Sequence, residues 1–191
     1  MRKKPILIIL SIAVAAIAVA FTLNYIQKKK LSIKNVVITQ KLKSNTDNAC
    51  ATIIPNPSGY VNDFVHLFTE AQRWQLDSLI GLHEKQTTNQ IALVTLDSSM
   101  LGTCNLADYT KELGNQWGVG QKEKNNGCVF AICVAPKKVR INNGYGIEKL
   151  ITNAETQTII DSVIIPNYKQ EKLFEGTFLG LQKLMGKIGG K

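Results

Sequence analysis

The first 43 residues contain no aspartate or glutamate, although they carry nine of the 23 Lys/Arg. The other 148 residues therefore balance fourteen basic against fourteen acidic side chains, and the whole +9 net charge belongs to the N-terminal segment. A neutral globular part argues against nucleic acid as a partner, since binding it calls for a basic face on the domain itself. Histidine is scarce too, with only His66 and His83, and no Cys sits in an electropositive turn, so a Ser/His or Cys/His nucleophile system has little support. The four cysteines (Cys50, Cys104, Cys128, Cys133) show no CxxC or Cys/His spacing, which argues against a zinc site. A GxSxG elbow, a P-loop, HExxH and a dinucleotide glycine fingerprint are all missing.

What is present begins with an uncharged run, Ile6–Leu23 (ILIILSIAVAAIAVAFTL), interrupted only by Ser11 and Thr22. Eighteen residues at the helical rise span roughly 27 Å, enough to cross a hydrocarbon core. Arg2-Lys3-Lys4 and Ala18-Val19-Ala20 also fit a signal peptide, but the run is long for one, and a retained transmembrane anchor is the expectation. The flanking lysines suit anionic lipid headgroups. A short basic start followed by an apolar run is how exported chains begin, so the domain is expected on the non-cytoplasmic, periplasmic side of a single-pass membrane protein. The organisation read from the chain is an anchor or signal segment at 1–27, a basic linker at 28–57 and a domain at 58–188. Cys50 and Cys104, in polar contexts, can pair in an oxidising compartment. Cys128 and Cys133 lie in one apolar run, on opposite faces of a strand, and read as core.

Within the domain, Thr69 and Gln72 have capping-box spacing ahead of a stripe formed by Trp74, Leu76, Leu79, Ile80 and His83. His83 reads as a half-buried rim residue. Gln90–Leu96 and Cys128–Val134 are continuous apolar runs, hence buried strands, and Val139–Ile141 alternates as a hairpin strand after the Ala135–Lys138 turn. Asn105 caps a helix with Leu106, Tyr109, Thr110, Leu113 and Trp117 on one face. Asn153 is the expected cap of a helix carrying Ile159, Ile160, Val163 and Ile164 and ended by Pro166. Phe174, Phe178, Leu181, Met185 and Ile188 stripe a last helix. The order implies a central mixed sheet covered by helices.

Three segments concentrate oxygen-bearing side chains and glycine: Gly59–Asp63, Gln121–Gly127 and Asn142–Glu148, the last running on to Thr152-Asn153. Such loops either converge on a ligand crevice or serve as ordinary turns that use Asn and Gly for positive φ. Their oxygens are the kind that Ca²⁺ or Mg²⁺ selects.

Together with YVNDF…LFTEAQ, QIALVTL, QWGVGQKEKNNGCVFAICVAP and KVRINNGYGIEKLITNAETQTII, these segments resemble the TPM domain family over roughly 58–188. That family is named for a thylakoid lumen protein, a photosystem II accessory protein and a nematode receptor-modulating protein. The resemblance implies a Rossmann-like three-layer α/β/α sandwich, held at or exported across a membrane. It implies divalent-metal binding near the loops, acid phosphatase activity in some members, and accessory roles around membrane complexes. Carried over, the metal ligands fall on Asp63, Asn125, Asn126 and Asn153, with Glu148 nearby. Arg140 is a candidate phosphate contact, or simply the end of a strand.

The chain departs from the pattern twice. It has Asn125-Asn126-Gly127 where the family has Asp-Asn-Gly, and Thr152-Asn153 where the family has Thr-Asp. Losing two carboxylates weakens a divalent site and its power to activate water. Two readings follow: a membrane-tethered accessory module that binds Ca²⁺ or Mg²⁺ weakly and engages a membrane-associated protein, or a metal-dependent phosphatase acting on phosphomonoesters.

Overall fold

The computed structural model describes residues 26–30, 53–135 and 137–189. The chain divides into two units, Met1–Ala49 and Cys50–Lys191. Of the first, residues 26–30 are helical and exposed. The expected anchor at 6–23, Cys50 and Pro136 lie outside the described residues, among which no helix is long and apolar enough to cross a membrane.

The second unit is built on a four-stranded sheet in the order β1 (Val61–Asp63), β2 (Gln90–Leu96), β3 (Gly127–Cys133) and β4 (Lys138–Asn143). The first three strands run parallel and β4 is antiparallel to β3, giving the mixed sheet expected. The strand order is sequential, so the strand-order reversal that defines the Rossmann crevice does not occur here. β1 was not evident from the sequence. It is three residues long and rich in Asn and Asp, and it forms because it has β2 to pair with. The buried Asn62 also closes the turn before it: Oδ1 accepts from Ser58 N (2.7 Å) and Nδ2 donates to Gly59 O (2.9 Å).

Strand alternation sends two sets of side chains to two cores. On one face Ile91, Leu93, Cys128, Phe130, Ile132 and Ile141 meet α1 (Glu70–Thr87), α4 (Asn153–Ile159) and α6 (Leu173–Ile188). On the other, Val94, Leu96, Val129 and Ala131 meet Tyr109 and Leu113 of α2 (Leu106–Trp117). The result is a three-layer α/β/α sandwich. Each fully buried side chain of this size contributes about 1.5–3 kcal/mol, so the two faces together carry most of the stability. Ile54 packs into the second core and the Trp117 indole donates to Pro55 O at 2.8 Å, so the end of the expected linker is fastened to the domain.

The helix signals hold in part. Thr69 and Gln72 form the capping box, and Asn105 caps α2 through Asp108 N. Trp74 leaves the stripe assigned to it and is 67% exposed, because the buried face of α1 is the narrower set Leu76, Ile80 and His83. α4 is capped by Thr152 rather than Asn153, since Thr152 and Glu155 make the reciprocal box and Asn153 is already the first helical residue. Pro166 does not end that helix. A π-turn at Ile160–Ile164 widens it, and α5 (Ile165–Lys169) begins with Pro166 in its first turn, where a missing N–H is tolerated.

Cys128 and Cys133 are free and buried, as expected, and burial pushes the Cys128 thiol up to about 12. Cys104 is disulfide-bonded. His83 is more buried than a rim residue, at 7% exposure, and its Nε2 has no partner among the described residues. Burial holds its imidazole below the ordinary range. The folded state thus prefers the neutral ring, so the His83 contribution is complete above about pH 6.5 and is lost as the pH falls below it. Urea midpoints measured near pH 8 and pH 5 should therefore fall more in the parent chain than in His83→Leu; equal falls would remove His83 as the cause.

Candidate functional site at the amino ends of the parallel strands

The strand register sorts the sequence-derived site residues. Asp63 pairs with Thr95 at the carboxyl end of β2, whereas Gln90 at its amino end pairs with Gly127. Five residue steps separate Thr95 from Gln90, about 16 Å at the rise of a strand. Asp63 is therefore remote from the loop 118–127 and from the 144–148 segment that follows β4. Its carboxylate is also spent inside the fold. Oδ1 accepts from Thr95 Oγ1 (2.5 Å) and Leu67 N (2.9 Å), and Oδ2 accepts from Phe68 N (3.0 Å), which caps the turn after β1.

The other loops do meet, at the edge opposite to the one an open α/β sheet normally uses. Gly144 N donates to Gly127 O (2.8 Å) and Gly146 N to Asn125 O (2.9 Å). The approach is backbone against backbone: a Cβ on Gly144 would collide with the Asn125 carbonyl, and one on Gly146 with the Lys124 carbonyl. Glycine is required at both positions because nothing larger fits between the crossing chains.

Beside this crossing lies a cleft of about 330 Å³. Its walls are Lys111 and Asn115 of α2, Val119 and Asn125 of the loop, Asn142 of β4, and Tyr145 and Glu148 of α3 (Tyr145–Glu148). Asn125, at φ +48°, is exposed, and its carboxamide has no partner among the described residues. Glu148 is half-buried and equally unpaired. Asn126 is the opposite case, buried with its carboxamide and carbonyl all occupied. Oδ1 accepts from Gln121 N (2.8 Å), Nδ2 donates to Thr88 O (2.6 Å), and its carbonyl accepts from Gln90 N (3.0 Å). It fastens the loop to Thr88, a β-branched residue held at φ +67° as the C-cap of α1. Asn153 is exposed at the start of α4 and is not part of the cleft wall.

Arg140 is exposed, and its Nε and Nη2 donate to Asn142 Oδ1 at 3.1 and 3.0 Å. It thereby fixes a carboxamide of the cleft wall, a role that strand alternation on β4 could have disclosed. Of the six residues singled out, the cleft unites Asn125 and Glu148, with Arg140 one contact behind. Sequence reasoning missed Lys111, Asn115 and Tyr145. Lys111 and Asn115 are four apart on the polar side of α2, and only knowing which helix covers β4 reveals them. Among the described residues no group of three His, Cys, Asp or Glu is placed to hold a metal. A cation here would meet one carboxylate, neutral amide oxygens and, on the far wall, the Lys111 ammonium.

A mixed sheet between helical layers, with two glycine-lined loops crossing at the amino ends of its parallel strands, defines a small α/β/α sandwich domain. The chain belongs to the TPM domain family, whose model matches residues 61–187. It is similar to the solution structure of the N-terminal domain of a protein from P. gingivalis, at 28% identity and a TM-score of 0.62, over 68% of this chain and 81% of that one. The BA42 protein from Bizionia argentinensis shares the fold at 18% identity and a TM-score of 0.53, over 66% and 81% of the two chains. So does the N-terminal domain of the cg2496 protein from Corynebacterium glutamicum, at 17% and 0.51, over 72% and 84%. No curated protein matches the chain.

Two substitutions separate scaffold from site. Asn126→Ala strands buried backbone groups and should cost about 2–3 kcal/mol in chemical denaturation. Asp63→Asn should cost about 1–3 kcal/mol, because a carboxylate acceptor becomes a half-donor, yet leave any cation binding at the cleft unchanged. A matching loss of cation binding in Asp63→Asn would return Asp63 to the site.

Proposed function

We propose that this chain is a membrane-tethered TPM-domain protein of accessory type, whose cleft takes up Ca²⁺ or Mg²⁺ only weakly and which engages a membrane-associated protein rather than turning over a substrate. The observation that carries this reading is the donor set of the cleft. Glu148 is its one carboxylate among the described residues, the other side-chain oxygens are neutral (the Asn amides, Thr110 and Tyr145), and the Lys111 ammonium shares its walls. Such a site holds a divalent ion at the millimolar end of the range and polarises a bound water poorly. The free thiols are buried and raised, and His83 is buried on α1 and absent from the cleft walls, so neither supplies a nucleophile or a base to the cleft. A disulfide at Cys104 supports a domain on the non-cytoplasmic, periplasmic side, where such bonds persist. The apolar run at 6–23 supports the tether.

Calorimetric titration of the full chain in detergent micelles tests the reading. Ca²⁺ should bind at about millimolar concentration, binding should be lost in Glu148→Gln, and Asn125→Asp should tighten it by about tenfold. Hydrolysis of p-nitrophenyl phosphate should stay at background with either ion. Turnover that disappears in Glu148→Gln would replace this reading with a metal-dependent phosphatase.

A further inference from the structure

The same edge of the sheet carries a second cavity, of about 340 Å³, on the β1 side of Val119. Its polar and aromatic walls are Tyr60 before β1, Asp77 and Glu84 of α1, Gln90 of β2 and Trp117 at the end of α2. No lysine or arginine is among its walls, and neither carboxylate pairs with one among the described residues. Both are oriented by neutral donors instead. Asp77 Oδ1 accepts from Val61 N (3.2 Å), and Glu84 Oε1 accepts from Gln90 Nε2 (2.8 Å). Gln90 Oε1 in turn accepts from Gly120 N (2.6 Å), which fixes the wall to the loop, and the Trp117 indole is anchored on Pro55 O. The hydrogen bond to Glu84, then burial, then the charges of Glu84 and Asp77 push the Tyr60 phenol up, so both carboxylates act on this cavity.

Two carboxylates without an ion-pair partner among the described residues, beside two aromatic side chains, form a setting for an organic cation; Arg73, one turn before Asp77, borders the adjacent cavity instead. Carboxylates attract any cation, but aromatic walls add attraction for a weakly hydrated ammonium or guanidinium carried on an apolar stem. A small inorganic cation gains nothing from such walls. The volume lies within the range of small-ligand pockets and accommodates one long side chain.

We propose that the Tyr60–Asp77–Glu84–Trp117 pocket binds the ammonium or guanidinium group of a lysine or arginine side chain presented by a peptide. Two sources offer that chemistry: a separate basic peptide, and the lysines of this chain at 28, 29, 30, 34, 41 and 43. The pocket shares only Val119 with the neighbouring cleft, and its ligand is independent of any divalent ion there.

The test is a titration with Nα-acetyl-lysine methylamide, read from the Trp117 indole N–H resonance. It uses the full chain in zwitterionic micelles, beside a companion chain in which those six lysines are glutamine. A saturable shift is expected in the companion chain, and none with the neutral Nα,Nε-diacetyl analogue. The shift should weaken roughly tenfold in Glu84→Gln and further with Asp77→Asn added. Both changes keep an acceptor for Gln90 Nε2 and for Val61 N. Weaker binding in the parent than in the companion chain would identify its own lysines as the occupant; equal binding would assign the pocket to a separate peptide. No saturable shift in either chain, or an equal shift with the neutral analogue, would overturn the proposal.

Discussion

Much of this domain depends on one crossing of bare backbone. The segment after β4 lies directly on the loop before β3, carbonyl against α-carbon, at Gly144 and Gly146. Side chains at either position would push the two strands of chain apart. With them would go the Gly144–Gly127 and Gly146–Asn125 hydrogen bonds that end the β3–β4 hairpin. The crossing sets the floor of the cleft. Through Val119, and through the Gly120 N–H on Gln90, it also sets one wall of the Tyr60–Trp117 pocket. Asn126 then locks the crossing to the C-terminus of α1, holding Thr88 in a backbone conformation that a β-branched residue resists unless its surroundings insist on it.

The polar chemistry of this edge is divided between the two hollows. On the α2 side amides predominate, and the single carboxylate shares the walls with one ammonium, so the charges of the lining sum to zero. On the α1 side two carboxylates line a pocket that has no cation among its own walls. An amide oxygen does not titrate, so in the first hollow only the Glu148 carboxylate answers to pH, whereas occupancy of the second rests on two charges and hence more strongly on ionic strength. The neutrality of the whole domain conceals this difference, because Lys111 and its neighbours balance the α1-side acids only in the sum.

The layered architecture was legible in the sequence where a feature is local. The runs at Gln90–Leu96 and Cys128–Cys133, the Thr69–Gln72 box and the Asn105 cap each announce themselves within a few residues. β1 was not, because three residues including Asn and Asp hold strand geometry only through β2. Trp74 looked like core because it falls on a helical stripe, but which part of a stripe is covered depends on what packs there. The site suffered most. Asp63, Asn125 and Asn126 share composition and loop setting, yet the register sends Asp63 to the far end of the sheet, and buried hydrogen bonds consume Asn126. Proximity in this cleft is a property of topology, and no spacing along the chain encodes it.

The indole of Trp117 on the Pro55 carbonyl has a mechanical meaning. Of the elements in the sheet, β1 is the shortest, lies at an edge and comes first along the chain, so it would be the first to peel under tension. A pull from the N-terminal side reaches Pro55 before Val61. There it meets a hydrogen bond rooted in α2, with Ile54 wedged in the core beneath. Force is thereby diverted into the middle of the sandwich, and the weakest strand is shielded by a clasp that precedes it.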